Sequence, residues 1–564
     1  MKKYTIGIDY GTLSGRCVLV DVQTGQEVAE CVSEYAHKVM DSHLPDGTPL
    51  GIDWALQHPE DYLDVLRVTI RGVIEKAGIN ASQIVGVGVD FTSCTILPIK
   101  MDGTPLCFMD KYASNPNAYV KLWKHHAAQV EADELNRIAK DRGESFLSRY
   151  GGKISSEWLF PKLWQILKQD PQLYDEMDCF IEAGDWVVMC LTGKMTRNTC
   201  AAGYKAIWSK REGYPSKDFF KALDPRMENV VEEKLRGEIV AIGTKVGEIT
   251  PAAAELTGLC PGTAVAAAHL DAGGALPGAG ICSTGVMLAL MGTSTCHMML
   301  GEGERYVPGI CGYAEDGMIR GYVGYEAGQS CVGDHFQWMT ENCVPPHYFE
   351  AAAKEGKNIH AYLSEKAAQL LPGESGLVAL DWWNGNRSIL VDGKLSGLII
   401  GCNLQTKPEE IYRALVEATA FGTRMIIENY EEHDVPVQDL VIAGGIAQKN
   451  PFIMQLYADI TGKEIKIAGS TQNSALSCAI WGAVAAGKDQ GGYDTLEDAV
   501  ERMANKMDKS YVPNKANSEA FTALYEEYKI LHDYFGRGAN DVMKRLKNLS
   551  EQKKKEHYDS KERK

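Results

Sequence analysis

Residues 9–15, near the start of the chain, combine a carboxylate, glycines and hydroxyl groups between two β-rich runs, Tyr4–Ile8 and Arg16–Val20. Glycine lets backbone N–H groups approach an anion closely, and hydroxyl and guanidinium groups add further donors. The residues that could bind phosphate in this way are Gly11, Thr12, Ser14 and Arg16. Asp9 ends the first run and could hold a Mg²⁺ ion through water. The alternative is an ordinary glycine-rich hairpin turn.

A second hairpin of the same kind lies near the middle of the chain. Two apolar runs, Val286–Leu290 and Cys296–Leu300, flank a turn with glycine and hydroxyl groups but no carboxylate. The potential phosphate donors in this turn are Gly292, Thr293 and Ser294. Two such turns facing each other could hold a polyphosphate from both sides. The repeat also predicts two domains of related architecture, joined near residue 281.

The familiar nucleotide-binding motifs are absent from the sequence. The phosphate-binding P-loop is absent, because no glycine-rich segment ends in Gly-Lys-Ser or Gly-Lys-Thr. The Gly-x-Gly-x-x-Gly dinucleotide fingerprint is also absent, because a match that begins at Gly86 has Phe91 in place of its third glycine. The pair Gly444-Gly445 follows a buried strand, and its missing side chains could open a slot for an adenine ring. Gln448 or Asn450 would then lie at the edge of the ring. A plain strand-to-helix turn is the alternative.

Three charged residues interrupt segments that are otherwise small or apolar. Asp271 follows the apolar run Val265–Ala268, where a carboxylate is costly unless it has a partner or a task. It could accept a hydroxyl proton during phosphoryl transfer, or it could cap a helix. Lys205 and Glu326 lie in similar surroundings, and an ordinary surface position is the alternative for each.

Composition restricts the classes of function. The chain has 564 residues, enough for two to four domains, and its net charge of −17 disfavours a nucleic-acid partner. Its 15 cysteines include no Cys-x-x-Cys pair, which favours reduced thiols and a cytoplasmic protein. The weakly polar stretch Gly262–Met291 contains His269, Asp271 and Pro277, so we predict no membrane span. Strand and helix patterns alternate through both halves, which predicts an α/β fold.

Several motifs, in order, resemble the FGGY family of carbohydrate kinases over about residues 4 to 545. They are Ile6–Thr12 (phosphate), Phe160–Trp164 (first signature), Gly397–Gly401 with Ile411–Glu417 (second signature) and Ala443–Gly445 (adenosine). The first signature is one residue shorter between Leu163 and Trp164 than in xylulokinases, and Cys402 replaces a commoner aliphatic residue.

The resemblance implies an actin- or hexokinase-type ATPase fold, with two ribonuclease-H-like domains around a central cleft that holds ATP and Mg²⁺. It also implies that Asp271 is the catalytic base. The domains expected are an N-terminal sugar-binding domain over residues 1–281 and a C-terminal ATP-binding domain over residues 282–545. A charged tail would follow over residues 546–564.

Within the family, the chain resembles the ribulokinases at residues that would contact the sugar. They are Ser93, Cys94, Trp123, Lys205, Asp271 and Glu326, although the family usually has alanine at the position of Ser93. The resemblance implies ATP-dependent conversion of L-ribulose to L-ribulose 5-phosphate in L-arabinose catabolism. The partner expected is a small ketopentose, and the prediction allows a homodimer. The alternatives are a xylulokinase, a D-ribulokinase or a non-catalytic nucleotide or sugar sensor of the same fold.

Overall fold

The computed structural model describes residues 2–505 and 509–562. In chain order the strands are β1 Tyr4–Tyr10, β2 Ser14–Asp21, β3 Glu27–Glu34, β4 Leu56–Gln57, β5 Ile84–Phe91, β6 Ile96–Ile99, β7 Val120–Lys121, β8 Cys179–Glu182, β9 Thr196–Asn198, β10 Glu238–Val240, β11 Lys245–Glu248, β12 Ala264–Ala266, β13 His269–Leu270, β14 Val286–Met291, β15 Thr295–Gly301, β16 Gly312–Glu315, β17 Val323–Gln329, β18 Val378–Leu380, β19 Leu398–Ile400, β20 Asp439–Ala443, β21 Ile465–Ile467 and β22 Ser510–Tyr511.

The α-helices alternate with these strands. In chain order they are α1 Pro59–Ala77, α2 Gln129–Arg142, α3 Leu159–Gln169, α4 Pro171–Glu176, α5 Ala183–Thr192, α6 Thr199–Lys205, α7 Lys217–Leu223, α8 Val230–Lys234, α9 Pro251–Thr257, α10 Gly333–Cys343, α11 Pro346–Lys354, α12 Ile359–Ala367, α13 Pro408–Glu432, α14 Gly445–Lys449, α15 Pro451–Thr461, α16 Asn473–Ala486, α17 Leu496–Met503, α18 Lys515–Gly536 and α19 Val542–Glu562. None of those described combines the length and apolarity needed to cross a bilayer.

The first large sheet is built around the hairpin of β1 and β2. Its strand order is β11-β12-β5-β1-β2-β3, with β13 also paired to β5. β1 runs antiparallel to β2 and parallel to β5. All eight residues of β5 are buried, as expected for a central strand that helices cover on both faces.

The second large sheet repeats this arrangement. Its order is β16-β17-β15-β14-β20-β21-β22, in which β14 runs antiparallel to β15 and parallel to β20. A central hairpin with a parallel neighbour therefore occurs in both sheets, and the predicted two-domain α/β fold is confirmed. The predicted boundary near residue 281 falls between the last strand of the first sheet and the first strand of the second.

Helix α16 lies in sequence between β21 and β22 of the second sheet but packs on the first sheet. A Cβ atom added at Gly7 on β1, or at Gly86 or Gly88 on β5, would overlap backbone oxygens of this helix. These glycines therefore allow direct contact between the backbones of the helix and the sheet. Gly7 lies within the motif Ile6–Thr12 that resembles a phosphate motif, but the structure uses this glycine for packing.

Two further elements refine the sequence predictions. Asn450, Pro451 and Gly462 are residue types typical of helix boundaries, and they bound α15, in which the Asn450 side chain caps the Ile453 N–H and Gly462 follows the end at φ 67°. The predicted charged tail lies largely within the helix Val542–Glu562, and residues 563 and 564 fall outside the described part.

Packing at Gly88 gives a stability prediction. We expect Gly88→Ala to lower the midpoint of thermal unfolding, because its methyl group would overlap the Cys478 carbonyl oxygen. Overpacking of this kind costs about 1–3 kcal/mol. The control is Gly393→Ala, since no atom lies within 4 Å of a Cβ there. Equal melting of the two variants, measured by calorimetry, would contradict the packing argument.

Candidate active site

Three aspartates lie together at the ends of neighbouring strands of the first sheet. Asp9 on β1 is in register with Asp90 on β5, and β13 runs parallel to β5 on the other side. Asp271 directly follows β13, and its N–H donates to the Phe91 carbonyl at 3.0 Å. Because the carboxyl ends of parallel strands share one edge of a sheet, this topology concentrates negative charge at that edge.

Burial raises the pKa values of all three carboxyl groups, and neighbouring carboxylates add to the rise at Asp90 and Asp271. The pKa of Asp90 lies well above its usual value because the group is buried and because Asp9 and Asp271 are close. Burial also raises the pKa of Asp9, although a hydrogen bond from Asp90 and the charge of Arg16 oppose the shift. The pKa of Asp271 is raised to about 7 by burial and by Asp9. A carboxyl group that titrates near neutral pH is suited to proton transfer.

Asp271 opens onto a central cleft of about 590 Å³ that both halves of the chain line. The predicted site residues that line this cleft are Thr12, Ser93, Trp123, Lys205, Asp271, Ser294 and Glu326. The Oδ1 atom of Asp271 accepts the Ala272 N–H at 2.7 Å, which orients the carboxylate. No α-helix follows directly, so a helix-capping role for Asp271 is excluded.

Lys205 and Glu326 form an ion pair in the cleft. Lys205 ends helix α6, Glu326 lies on β17, and the Nζ and Oε2 atoms are 3.3 Å apart. Burial lowers the pKa of Lys205, but Glu326 and nearby groups raise it, and the net shift is upward. Lys205 therefore stays charged, and its Nζ atom also lies 5.5 Å from the Trp158 ring centroid. Such a pair offers both a donor and an acceptor to a polyhydroxy ligand.

Trp123 connects the central cleft to the first hairpin turn. Its Nε1 atom donates to the Thr12 hydroxyl at 3.1 Å, and about a third of the residue, 37%, is exposed. A flat indole surface in this position can cover one face of a ligand while it holds the turn.

A buried lysine supports two loops beside the cleft. Lys162, on helix α3, donates to the Cys94 carbonyl at 2.6 Å and to the Leu122 carbonyl at 2.8 Å. Burial lowers the pKa of Lys162 to about 8. The first of these loops also contains Ser93, and the second leads directly to Trp123. The Lys162 side chain therefore holds the backbone beside both of these predicted sugar contacts.

A second cavity, of about 500 Å³, lies against α14 and α15, and we call it the side cavity. The predicted site residues that line it are Gly292, Thr293, Gly445 and Asn450. Thr293 lines the side cavity and Ser294 lines the central cleft, so the second hairpin turn joins the two spaces. A polar ligand with an extended phosphate chain could occupy both spaces at once.

Other predicted side chains have different environments. Arg16 pairs with Glu30 at 3.1 Å and also bonds to Gln472, so it lines neither cavity. Cys94 is buried in the apolar core below its loop, and Gln448 donates to the Ala468 carbonyl at 3.0 Å. Gly11, Ser14 and Gly444 also lie outside both linings.

Gly444 has a packing role. It adopts φ 120°, and a Cβ atom there would overlap the Met291 carbonyl oxygen, so glycine allows β20 to approach β14. The next residue, Gly445, has open space around its Cα and lines the side cavity.

Sequence reasoning missed Asp90, which lines neither cavity, and several residues that line the two cavities. Asp90 could have been found, because it ends a buried strand as Asp9 does. The others lie on loops and helices that only the fold brings to the cavities. They are Glu157, Trp158, Asn384, Asn386 and Arg387 in the central cleft, and Asp334, Gln337, Asn358 and His360 in the side cavity.

Two cavities that meet at the second hairpin turn, one of them lined by the Asp271 carboxylate, are typical of a kinase site. The N-terminal domain of the FGGY family of carbohydrate kinases matches residues 4–278, and the C-terminal domain of that family matches residues 287–486. The chain belongs to this family.

Curated relatives with high sequence identity indicate which group within the family this chain resembles. A protein named ribulokinase from Anoxybacillus flavithermus is 56% identical over 551 residues, which cover 98% of each chain. A ribulokinase from Geobacillus thermodenitrificans is 55% identical over the same length, with the same coverage of both chains. Among solved structures, a xylulose kinase from Rhodospirillum rubrum superposes with a TM-score of 0.75 at 20% identity, covering 94% of this chain and 98% of that one. The structural likeness shows the fold.

The two hydrogen bonds from Lys162 give a prediction about carbohydrate binding. We expect Lys162→Met to raise the KM for the sugar several-fold and to leave the KM for the nucleotide unchanged. Two buried carbonyl groups would lose their donor, at a cost of about 1–3 kcal/mol each.

The matched control is Lys168→Met on the same helix, since Lys168 makes partly exposed ion pairs with Glu131 and Glu134. Steady-state kinetics and thermal melting of both variants test the argument. If Lys162→Met folds and keeps the KM values of the parent protein, Lys162 does not position the sugar loops.

Proposed function

We propose that the chain transfers the γ-phosphate of ATP to the terminal hydroxyl of L-ribulose, and that this reaction serves L-arabinose catabolism. Identity of 55–56% to proteins named ribulokinase over nearly the whole chain supports the substrate. The structural observation that carries the proposal is the position of Asp271. This carboxylate opens onto the same cleft as the Lys205–Glu326 pair and the turn residues Thr12 and Ser294.

The protein groups would divide the chemistry between sugar and phosphate. Lys205 and Glu326 would bind sugar hydroxyls, and Trp123 would cover one face of the open chain. Asp271, held by the Ala272 N–H, would accept the proton of the attacking hydroxyl. Correct alignment of this hydroxyl with the phosphoryl group is itself a large part of catalysis in phosphoryl transfer.

The nucleotide would occupy the side cavity, with its phosphates directed through the second turn. The glycine-lined space at Gly445 suits the flat base, and Asn450 and Thr293 offer polar contacts. Thr12 and Ser294 would donate to the phosphoryl oxygens from opposite sides, where negative charge spreads during transfer.

The carboxylates at the strand ends fit a hard divalent cation. Asp9 is only partly buried and offers carboxylate oxygens beside the first turn, which are the ligands that Mg²⁺ prefers. We propose that Asp9 holds Mg²⁺ through water. When bound, the ion would neutralise charge on the phosphates. The buried Asp90, in register with Asp9, would keep the Asp9 carboxylate in position.

A coupled ADP-release assay tests the proposed function. The panel consists of L-ribulose, D-ribulose, L-xylulose, D-xylulose, ribitol and glycerol. The proposal requires the highest kcat/KM for L-ribulose. A clear preference for a xylulose or for D-ribulose would favour another ketose kinase, and ADP release that no sugar stimulates would favour a sensor.

The role of Asp271 gives a mutational prediction. We expect Asp271→Asn to fold, to bind ATP and sugar, and to lose kcat by about 10²–10⁴, the usual effect of removing a general base. Asparagine has nearly the same shape and can still accept the Ala272 N–H. Binding is measured by calorimetry and turnover by ADP release, and turnover equal to that of the parent protein would refute the assignment.

The raised pKa of Asp271 gives a pH prediction. The base must be deprotonated to accept a proton, so kcat/KM for the sugar should rise with pH through about 7. Between pH 8 and pH 6 the loss should be about tenfold. Asp271→Asn should lack this acidic limb. A profile for the parent protein that is flat between these pH values would show that Asp271 does not control the rate.

A further inference from the structure

One loop of the second half reaches the central cleft and is firmly anchored there. Asn386 and Asp392 exchange backbone hydrogen bonds of 3.0 and 2.8 Å, which close the loop between them. The Ser388 hydroxyl accepts the N–H of Gly328 at 3.2 Å. Gly328 lies on β17, two residues after Glu326. The loop is therefore attached to the strand that carries one member of the cleft ion pair.

Arg387 extends from this loop across Gly328. A Cβ atom added at Gly328 would lie 3.0 Å from the Cδ atom of Arg387 and 3.3 Å from its nearer terminal nitrogen. The absence of a side chain at Gly328 therefore leaves space for the Arg387 side chain to reach the cleft. The guanidinium lines the cleft with Lys205, Glu326 and Asp271.

Among the described residues, the Arg387 guanidinium has no partner for its donors. Within residues 2–505 and 509–562 no hydrogen bond or ion pair involves the Arg387 side chain, although other cleft residues such as Lys205, Glu326 and Trp123 are engaged. Arginine carries five N–H donors in a planar fork. An anchored loop that presents an unused fork inside a ligand cleft indicates a ligand contact.

The loop contacts place Arg387 and Asp271 on different walls of the cleft. The Ser388 hydroxyl, next to Arg387, accepts the Gly328 N–H and lies 3.9 Å from the Cys311 thiol, so the Arg387 loop packs on the second half of the chain. Asp271 is held by the Phe91 carbonyl at the strand ends of the first half. The two side chains therefore approach a ligand from different halves of the chain. In an open-chain 2-ketose, the hydroxyl that receives phosphate lies at the opposite end from the carbonyl.

We propose that Arg387 is a specificity-determining residue that binds the carbonyl oxygen and the neighbouring hydroxyl oxygen of the ketose through two parallel N–H groups. These two oxygens can lie in one plane, which matches the planar fork of the guanidinium. A pentitol has no carbonyl and cannot present this planar acceptor pair. Arg387 therefore favours ketoses over polyols. This inference rests on the proposed function.

The experiment compares L-ribulose with ribitol in the full-length protein. Ribitol is measured as a substrate or, where it is not turned over, as a competitive inhibitor. We expect Arg387→Met to lower kcat/KM for L-ribulose by about tenfold or more, and affinity for ribitol by much less, because the paired charged hydrogen bonds are lost. The KM for ATP should not change. Arg387→Lys keeps the charge without the fork and should recover only part of the preference.

Arg320→Met is the matched control, because Arg320 is an exposed arginine of the same half that does not line the cleft. It should keep the activity and selectivity of the parent protein. If Arg387→Met does not fold, as judged by thermal melting, the selectivity of Arg387→Lys decides the question.

Equal losses for L-ribulose and ribitol would overturn the inference, as would a rise in the KM for ATP, which would indicate a phosphate contact. Unchanged kinetics would overturn it as well. If the parent protein does not phosphorylate L-ribulose, the proposed function is wrong, and the inference that rests on it is wrong as well.

Discussion

The backbone contact between helix α16 and the first sheet is the interaction on which the site depends. Gly7, Gly86 and Gly88 bring the helix directly onto β1 and β5, the strands that end in Asp9 and Asp90. The start of the same helix holds the segment that contains Asp271, because the Asn473 side chain donates to the Ala275 carbonyl at 2.7 Å. One helix of the second half thus fixes the three aspartates relative to one another.

This arrangement brings buried carboxyl groups close together, and the neighbouring carboxylates raise the pKa values of Asp90 and Asp271. Lys205 lowers the pKa of Asp271 and Glu326 raises it, so the two members of the ion pair act in opposite directions on the proposed base. Burial and Asp9 then dominate, and the pKa of Asp271 settles at about 7. A lysine without Glu326 would act more strongly on Asp271 and make it a weaker base. In the proposed mechanism, the ion pair would therefore present polar groups to the sugar while Asp271 remains able to accept a proton.

The sequence alone predicts those features that are encoded locally. Both hairpins, the α/β alternation and the cap at Asn450 follow from patterns of a few residues, and the structure contains them. Contacts between distant segments do not follow from such patterns. Arg16 has the right type to bind phosphate, but Glu30 and Gln472 engage it. Gly88 resembles part of a nucleotide motif, yet it contacts a helix 390 residues further along the chain.

The central cleft draws its polar groups from both halves of the chain. Lys205 belongs to the first half, whereas Glu326 and Arg387 belong to the second, and the Lys205–Glu326 pair spans 121 positions in sequence. A ligand that bonds to both members of the pair contacts both halves at once. The binding energy of such a ligand would favour one distance between the two hairpin turns as well as one position of the ligand. In the proposed function, binding of the sugar would therefore also favour the alignment of the two hairpin turns around the phosphates.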